Sequence, residues 1–268
     1  MAVYGNDHPG YFDLALRSVL RQAEDGIAVH VYLGVDGPLP PALQATVDEH
    51  RASLHRVSAS ADRCGLARTL NRLIELLEDE PFVFRMDSDD LSEPHRFRRQ
   101  LDYLHVHPEV DILGGAMVEF LENGSELPPR RYPRSQDVRR AISRGSPLSH
   151  PTVCFRRQAL DRLGAYPTEG TNEDIAMWFK ALAMGMTLDN IDDVLLKFRL
   201  TSNTFGRRSL KKARSELRVY LRGLRTLEGG ASIAMAFPIA RFLFRLAPRR
   251  VVGLVYRLSG LRSRLIGR

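Results

Sequence analysis

Three carboxylates, Asp87, Asp89 and Asp90, stand within four residues at the end of an apolar run in FVFRMDSDDLSEPHRF (82–97). Carboxylates this close repel one another, and a divalent cation offsets that repulsion. Mg²⁺ or Mn²⁺ takes one or two protein carboxylates and completes its shell with phosphate oxygens and water, so the implied ligand is a diphosphate. In open α/β sheets ligands bind beyond the carboxyl ends of the strands, which is where Asp87, Ser88, Asp89 and Asp90 would fall. The alternative for a bare D-x-D is a solvated turn that caps the next helix, so context has to decide.

A second acidic pair, Glu173 and Asp174, opens NEDIAMWFKALAMG, where Ile175, Trp178, Phe179 and Leu182 recur at helical spacing and predict a helix over roughly 173–185. Acids in a first turn complement the helix dipole whatever else they do. Trp178, the sole tryptophan, falls on the apolar stripe and reads as core. His150, ahead of Pro151 and Thr152, is either a structural histidine or one that reaches a phosphate or an acceptor. Asp192 and Asp193 read as a solvated turn between strand-like stretches.

The elements that must position these groups alternate in the α/β manner. Strands are predicted over 1–5, 29–36, 54–59, 82–87, 110–120 and 150–155. Between them, Phe12, Ala15, Leu16, Val19 and Leu20 recur at helical spacing, as do Leu66, Leu70, Leu73, Ile74 and Leu77. A further helix is predicted over 92–106 with Ser92 at its start. Residues 123–135, rich in Pro and Arg, read as an irregular loop. The expected fold is α/β, a mostly parallel open sheet covered by helices on both faces. Its first strand either is short or has its true start upstream.

Composition sets outer bounds. The 268 residues, 44% of them hydrophobic, suffice for one large domain, or one domain with an appendage. Cys64 and Cys154 show no metal-ligand spacing and no disulfide framework, which points to a reducing compartment, the cytosol by default. There is no signal segment and no apolar window of spanning length. The net charge of +7 is unevenly spread: residues 205–268 hold 16 Lys/Arg against Glu216 and Glu228, and the preceding 204 residues are net acidic. Such asymmetry suggests a surface-binding extension on an acidic body.

In order and rough spacing, MAVYGND…ALRSVLRQ, VDG, GLARTLNRLI, RMDSDDLSEPHRFRRQ, SHPTVCFRR and NEDIAMWFKALAMG resemble the family 2 glycosyltransferases, which have the GT-A fold, an open mixed sheet flanked by helices. The resemblance covers residues 1 to about 200 and looks closest to the branch that assembles exopolysaccharide and O-antigen chains. It implies that Val3 and Tyr4 line a nucleotide base and that Asp36 accepts the imide N–H of uracil or thymine, a proton cytosine lacks. Arg63 and Gly65, ahead of the helix that carries Asn71, would pass near the phosphates. Asp87 would face the ribose with Ser88 beside it, Asp89 and Asp87 would serve the metal, and Asp90 would stand behind them or, with His150, toward the acceptor or phosphate side. Asp174 is implied as the base that takes the acceptor hydroxyl's proton, with Glu173 orienting the acceptor or its loop.

The resemblance therefore implies an inverting, Mg²⁺- or Mn²⁺-dependent transfer of a sugar from a UDP- or dTDP-linked donor to a glycan or lipid-linked acceptor. Residues 1–204 would form the glycosyltransferase domain and residues 205–268 a basic amphipathic helical tail with breaks at Gly229-Gly230, Pro238 and Pro248. Arg241, Arg245 and Arg249 recur every four positions among large apolar residues, which suits a helix lying on an anionic membrane surface, here the inner face of the plasma membrane. An ordinary packed subdomain or a dimer interface is the other expectation for this segment. Nucleic acid is not an expected partner, because the tail lacks a reader motif and interleaved exposed aromatics. The rivals in other classes are a sugar nucleotidylyltransferase, which would want a basic Gly-rich loop after the first strand, and a catalytically silent nucleotide-binding membrane adaptor.

Overall fold

In the computed structural model, which describes residues 1–169, 172–201 and 210–246, the strands form two sheets. The first has the order β3-β2-β1 and is parallel, with β1 at Ala2–Tyr4, β2 at Tyr32–Asp36 and β3 at Arg56–Ser60. The second has the order β4-β7-β6-β8-β5, from β4 at Phe82–Phe84, β5 at Leu91–Ser92, β6 at Ile112–Leu121, β7 at Cys154–Arg156 and β8 at Leu188–Leu200. Only β6 and β8 run parallel in it, so the arrangement is mixed where the strand runs suggested a mostly parallel sheet.

Alternation along β2 sorts the two faces of the first sheet. Leu33 and Val35 pack with Phe12, Leu16 and Leu43 from α1 (Pro9–Leu20) and α2 (Pro41–Glu49). Gly34 turns the other way, toward α3 (Leu66–Glu75), where a Cβ would lie 2.3 Å from the Thr69 methyl. Only a glycine lets α3 come this close, and α3 carries the loop that bears on Asp36.

Two expectations are corrected by the second sheet. Asp192 and Asp193 are not a turn but sit within β8, at a bulge where Ile191 pairs with Gly115 and Val194 with Ala116. The two acids bulge outward, remain exposed, and meet Arg134 at 3.9 Å and Arg99 at 2.6 Å. Ser92 does not start a helix: it pairs with Leu196 in β5, and α4 runs over Arg96–Val106 behind His95, whose φ is 60°. The residues from 123 to 134 lack helix or strand, as expected, yet Arg130 and Met117 exchange two backbone hydrogen bonds of 2.8 and 3.1 Å.

Short helices α5 (Ser135–Ala141) and α6 (Arg157–Leu163) lead to α7 (Glu173–Ala183). Trp178 is fully buried in α7, as the apolar stripe implies. The same core takes Tyr220, Leu224 and Leu227 from α8 (Leu210–Glu228). Gly223 makes that contact possible, since a Cβ there would fall 2.2 Å from the Phe179 ring.

The last helix described, α9 (Ala236–Leu246), begins after Gly229 and Gly230. Pro238 lies in its first turn, where its missing N–H is not needed, so it does not break the helix. Glu216 of α8 accepts Arg241 at 3.2 Å and Arg245 at 2.5 Å, and Arg241 also covers the Tyr220 ring at 4.3 Å. Two of the three regularly spaced arginines therefore clip α9 to α8 and do not form a free polar face. Arg249 and Pro248 lie outside the described residues. Among the described residues no helix is long and apolar enough to cross a membrane.

Candidate active site

The register of the first sheet lines up Tyr4, Asp36 and Ser60 along one carboxyl edge. Just beyond β1 the chain turns, with the Asp7 amide donating to the Tyr4 carbonyl at 2.9 Å. The Asp7 carboxylate reaches back to the Tyr4 amide at 3.1 Å, and the same oxygen accepts the Ser88 hydroxyl at 2.9 Å. Asp7 thus ties the end of β1 to the acidic loop after β4. Burial raises its carboxyl to about 6, against the hydrogen bonds from Tyr4 and Ser88 and with help from Asp89 and Asp87. Sequence reasoning did not select Asp7, although an acid shortly after a strand's carboxyl end was a usable signal.

The acidic loop is held from behind. Asp90 is wholly buried and accepts the Arg199 backbone N–H at 2.9 Å, and the Arg199 Nε donates to the Asp89 carbonyl at 2.8 Å. The Arg199 guanidinium lies over Tyr11 at 4.1 Å and Phe120 at 4.5 Å, which fixes the end of β8 against the loop. Burial, then Asp87 and Asp89, push the Asp90 carboxyl well above its usual range, and its second oxygen is buried without a hydrogen-bond partner. The expectation that Asp90 reaches toward an acceptor or phosphate is corrected: it is a buried anchor behind the loop. Asp87 and Asp89 are half-buried and remain at the surface of the loop.

Asp87 is paired with Arg85, a side chain only 7% exposed in a protein interior where an unpaired cation is costly. The Arg85 charge is felt by Asp90, Asp174, His150 and Tyr166 as well. The Tyr166 hydroxyl is raised by burial, opposed by Arg85, and raised further by Asp174, Glu173 and Asp87. Acids from the β4 loop and from the start of α7 therefore act on one shared pair, Arg85 and Tyr166. Asp174, half-buried in the first turn of α7, is raised to about 6 by burial and by Glu173, against the Ile175 amide and Arg85. A carboxylate poised there can accept a proton near neutral pH. His150, in contrast, is buried, hydrogen-bonded to the Tyr166 hydroxyl at 2.9 Å, and edge-on to Trp178 at 6.0 Å. Burial and then Arg85 drop its pKa well below the usual histidine range, so it is a neutral structural residue and the alternative role beside a phosphate or acceptor is corrected.

The expected base-binding residues divide. Val3 is 1% exposed and belongs to the core with Leu33 and Val35, so its side chain supports the edge and lines no ligand surface. Tyr4 is half-buried, with the exposed Arg63 over its ring at 4.4 Å. Asp36 is buried and grips the turn before α3: one oxygen accepts the Cys64 amide at 2.6 Å and the other the Gly65 amide at 3.0 Å. Burial alone would raise this carboxyl, but the bonds from Cys64 and Gly65 hold it below the usual carboxylate range. Gly65 takes a φ of +90°, a conformation that disfavours a side chain.

The loop's chemistry fits a divalent ion. Among the described residues its acids form no ready-made triplet of convergent ligand atoms. Mg²⁺ and Mn²⁺ do not require one, since phosphate and water complete the shell. Burial is the main cause of the raised carboxyls of Asp7 and Asp90, and Asp87 and Asp89 add negative charge to both, the part that a cation would relieve.

Residues 7–218 match the family described as "Glycosyltransferase like family 2". The chain is 29% identical to the amylovoran biosynthesis glycosyltransferase AmsE of Erwinia amylovora, over 96% of each chain. It is 30% identical to the UDP-Gal:alpha-D-GlcNAc-diphosphoundecaprenol beta-1,3-galactosyltransferase of Escherichia coli, covering 96% of this chain and 94% of that one. Among solved structures, S. aureus TarS aligns with a TM-score of 0.62 at 20% identity, over 91% of this chain and 42% of that one. The mannosyltransferase PcManGT from Pyrobaculum calidifontis, solved with GDP-Man and Mn²⁺, gives a TM-score of 0.64 at 14% identity, over 98% of this chain and 80% of that one. At these identities the structural likeness establishes the fold, which is of the GT-A type.

Proposed function

The chain belongs to the glycosyltransferase-like family 2, and from that premise we propose an inverting, divalent-metal-assisted transfer of a sugar from a UDP- or dTDP-linked donor to a hydroxyl of a lipid-linked glycan. Family membership sets aside the nucleotidylyltransferase and the silent adaptor. The observation that carries the reading is the shared action of Asp87 and Asp174 on Arg85 and Tyr166. A diphosphate-side acid and a candidate base within electrostatic reach of the same two side chains are what such a transfer needs.

In this reading the acceptor oxygen attacks the anomeric carbon as its proton passes to Asp174. The bond from that carbon to the diphosphate oxygen breaks, and its electron pair leaves with the nucleoside diphosphate. One displacement inverts the anomeric centre, with no protein nucleophile. Asp89, with Asp87 beside it, would hold a divalent cation. When bound, that cation stabilises the negative charge developing on the leaving diphosphate. Glu173 orients the acceptor side, and Tyr4, Arg63 and Asp36 bound the nucleotide. Asp36 acts there through the Cys64–Gly65 turn that it clamps, besides any direct bond to a base imide. Screening nucleotide sugars for release of nucleoside diphosphate in Mn²⁺ tests the reading. Release abolished by EDTA and restored by Mn²⁺ is expected; full activity in EDTA would overturn the metal's part in it.

We assign residues 1–204, together with the packed face of α8, to the transferase domain, and the outer faces of α8 and α9 to contact with an anionic membrane, which would place the enzyme at the inner face where a lipid-linked acceptor resides. Ile239, Leu243 and Leu246 are exposed at helical spacing on α9, and Ile233 is 91% exposed just before it. On α8, Arg214, Arg218, Arg222 and Arg225 form an exposed stripe. Each basic residue near an anionic leaflet contributes about 1 kcal/mol. The parent chain is expected to float with anionic liposomes, and the double variant Ile239→Glu, Leu243→Glu to lose that flotation. Equal flotation by both would remove membrane contact through α9.

A further inference from the structure

Three metal-ligand residues gather at the end of the strands opposite the acidic loop. His30 stands before β2, His55 before β3 and Glu80 before β4, so all three lie at amino ends, whereas Asp36 and Asp87 lie at or beyond carboxyl ends. One ligand atom from each lies within 4.8 Å of the other two. His30 Nδ1 is 3.0 Å from the Glu80 Oε1, and the two imidazoles stack with centroids 4.3 Å apart. We propose that His30, His55 and Glu80 form a second divalent-cation site, of the zinc class, that clips the two sheets together.

The donor set selects the metal. Two imidazoles and one carboxylate suit Zn²⁺, which takes such ligands with water in the fourth position, and not Mg²⁺ or Mn²⁺, which prefer oxygen shells. The surrounding bonds are those a ligand set needs. Glu80 Oε1 accepts the Tyr32 hydroxyl at 2.5 Å, Oε2 accepts the Glu78 amide at 2.9 Å, and Arg157 lies 3.9 Å from Oε2. His55 Nε2 meets a Glu78 carboxylate oxygen at 3.1 Å, and an outer carboxylate of this kind orients an imidazole to bind through its other nitrogen.

Stacked rings, here 7° from parallel, cannot both aim an in-plane lone pair at one ion. Binding turns the His30 ring, whose side chain is 40% exposed and has room to turn. The site spans a structural weak point. β1 and β4 are not paired, and a cavity of about 140 Å³ lies between the sheets, lined by Met1, Leu73, Phe84 and Phe97 and reached by His30 and Glu80. An ion held by residues ahead of β2, β3 and β4 joins β4 to the β2–β3 pair, which no hydrogen-bond ladder does.

The test uses the full chain, stripped of metal and titrated with ZnCl₂, with stoichiometry read by calorimetry and stability by thermal unfolding. A ligand that binds only the folded state raises the unfolding temperature in proportion to ln(1 + [L]/Kd). One Zn²⁺ per chain and a raised midpoint are expected, with both retained in Asp89→Ala. The His30→Ala, His55→Ala double variant should lose affinity by at least about 10²-fold, since outer partners alone are worth 10- to 100-fold. Its metal-free midpoint should stay near the parent's, because both imidazoles are partly exposed. Co²⁺ should give visible absorption bands in the parent chain that the double variant lacks. Unchanged Zn²⁺ affinity in the double variant, or loss of Zn²⁺ binding in Asp89→Ala instead, would overturn the proposal.

Discussion

Asp174→Asn is expected to bind the donor as the parent chain does while turnover falls by about 10²- to 10⁴-fold, the usual contribution of a general base. The amide keeps the shape of the carboxyl and its place beside the Ile175 amide, so the start of α7 is preserved. What it loses is the capacity to take a proton. The parent's carboxyl titrates near 6 and must be ionised to act, so kcat/KM should rise with pH through about 6, and the variant should lack that limb. Stability should move the other way. The folded-state pKa lies above the value near 3.8 of an unfolded chain, so ionisation penalises the folded form above pH 6, and the penalty disappears as pH falls below the unfolded value. Asp174→Asn should therefore be more stable than the parent at pH 7, by roughly 1–3 kcal/mol, in urea denaturation. Parent-like turnover in the variant would remove Asp174 from the role.

Much of this architecture is written in local sequence signals, and the failures have identifiable physical causes. The strands β2 and β6 were legible because apolar residues run along them at strand length. The unity of β8 was not, because Asp192 and Asp193 interrupt its apolar pattern, and only the paired strand, with Gly115 opposite, shows that they can bulge out without ending it. The arginines of α9 recur at a spacing that reads as a solvent or headgroup face, yet Glu216, twenty-five positions before Arg241, captures both Arg241 and Arg245. Partner choice at that separation is a tertiary fact. In the site, Asp87, Asp89 and Asp174 were accessible as motif residues, but the different fates of Asp89 and Asp90 depend on Arg199 at the far end of β8. Arg85 carries its own signal in the sequence. A cation inside FVFRM cannot be buried without an anion, and the nearest one is Asp87.

That pairing makes Arg85 the residue whose loss should reach furthest through the site. Arg85→Met removes the cation that faces Asp87, Asp90 and Asp174 together, and turnover is expected to fall by about 10²-fold or more, as misplacement of a reacting group by about 1 Å can do. Removing the cation also leaves the half-buried Asp87 unpaired and disturbs the end of β4, so loss of activity alone would not separate positioning from unfolding. The pH profile does. Arg85 lowers the Asp174 carboxyl, and without it the acid limb must move above 6. Arg85→Lys keeps the charge but not the planar fork, so its acid limb should stay near the parent's while turnover is only partly restored. An acid limb in folded Arg85→Met that coincides with the parent's would show that Arg85 packs the end of β4 without setting the charge state of the base.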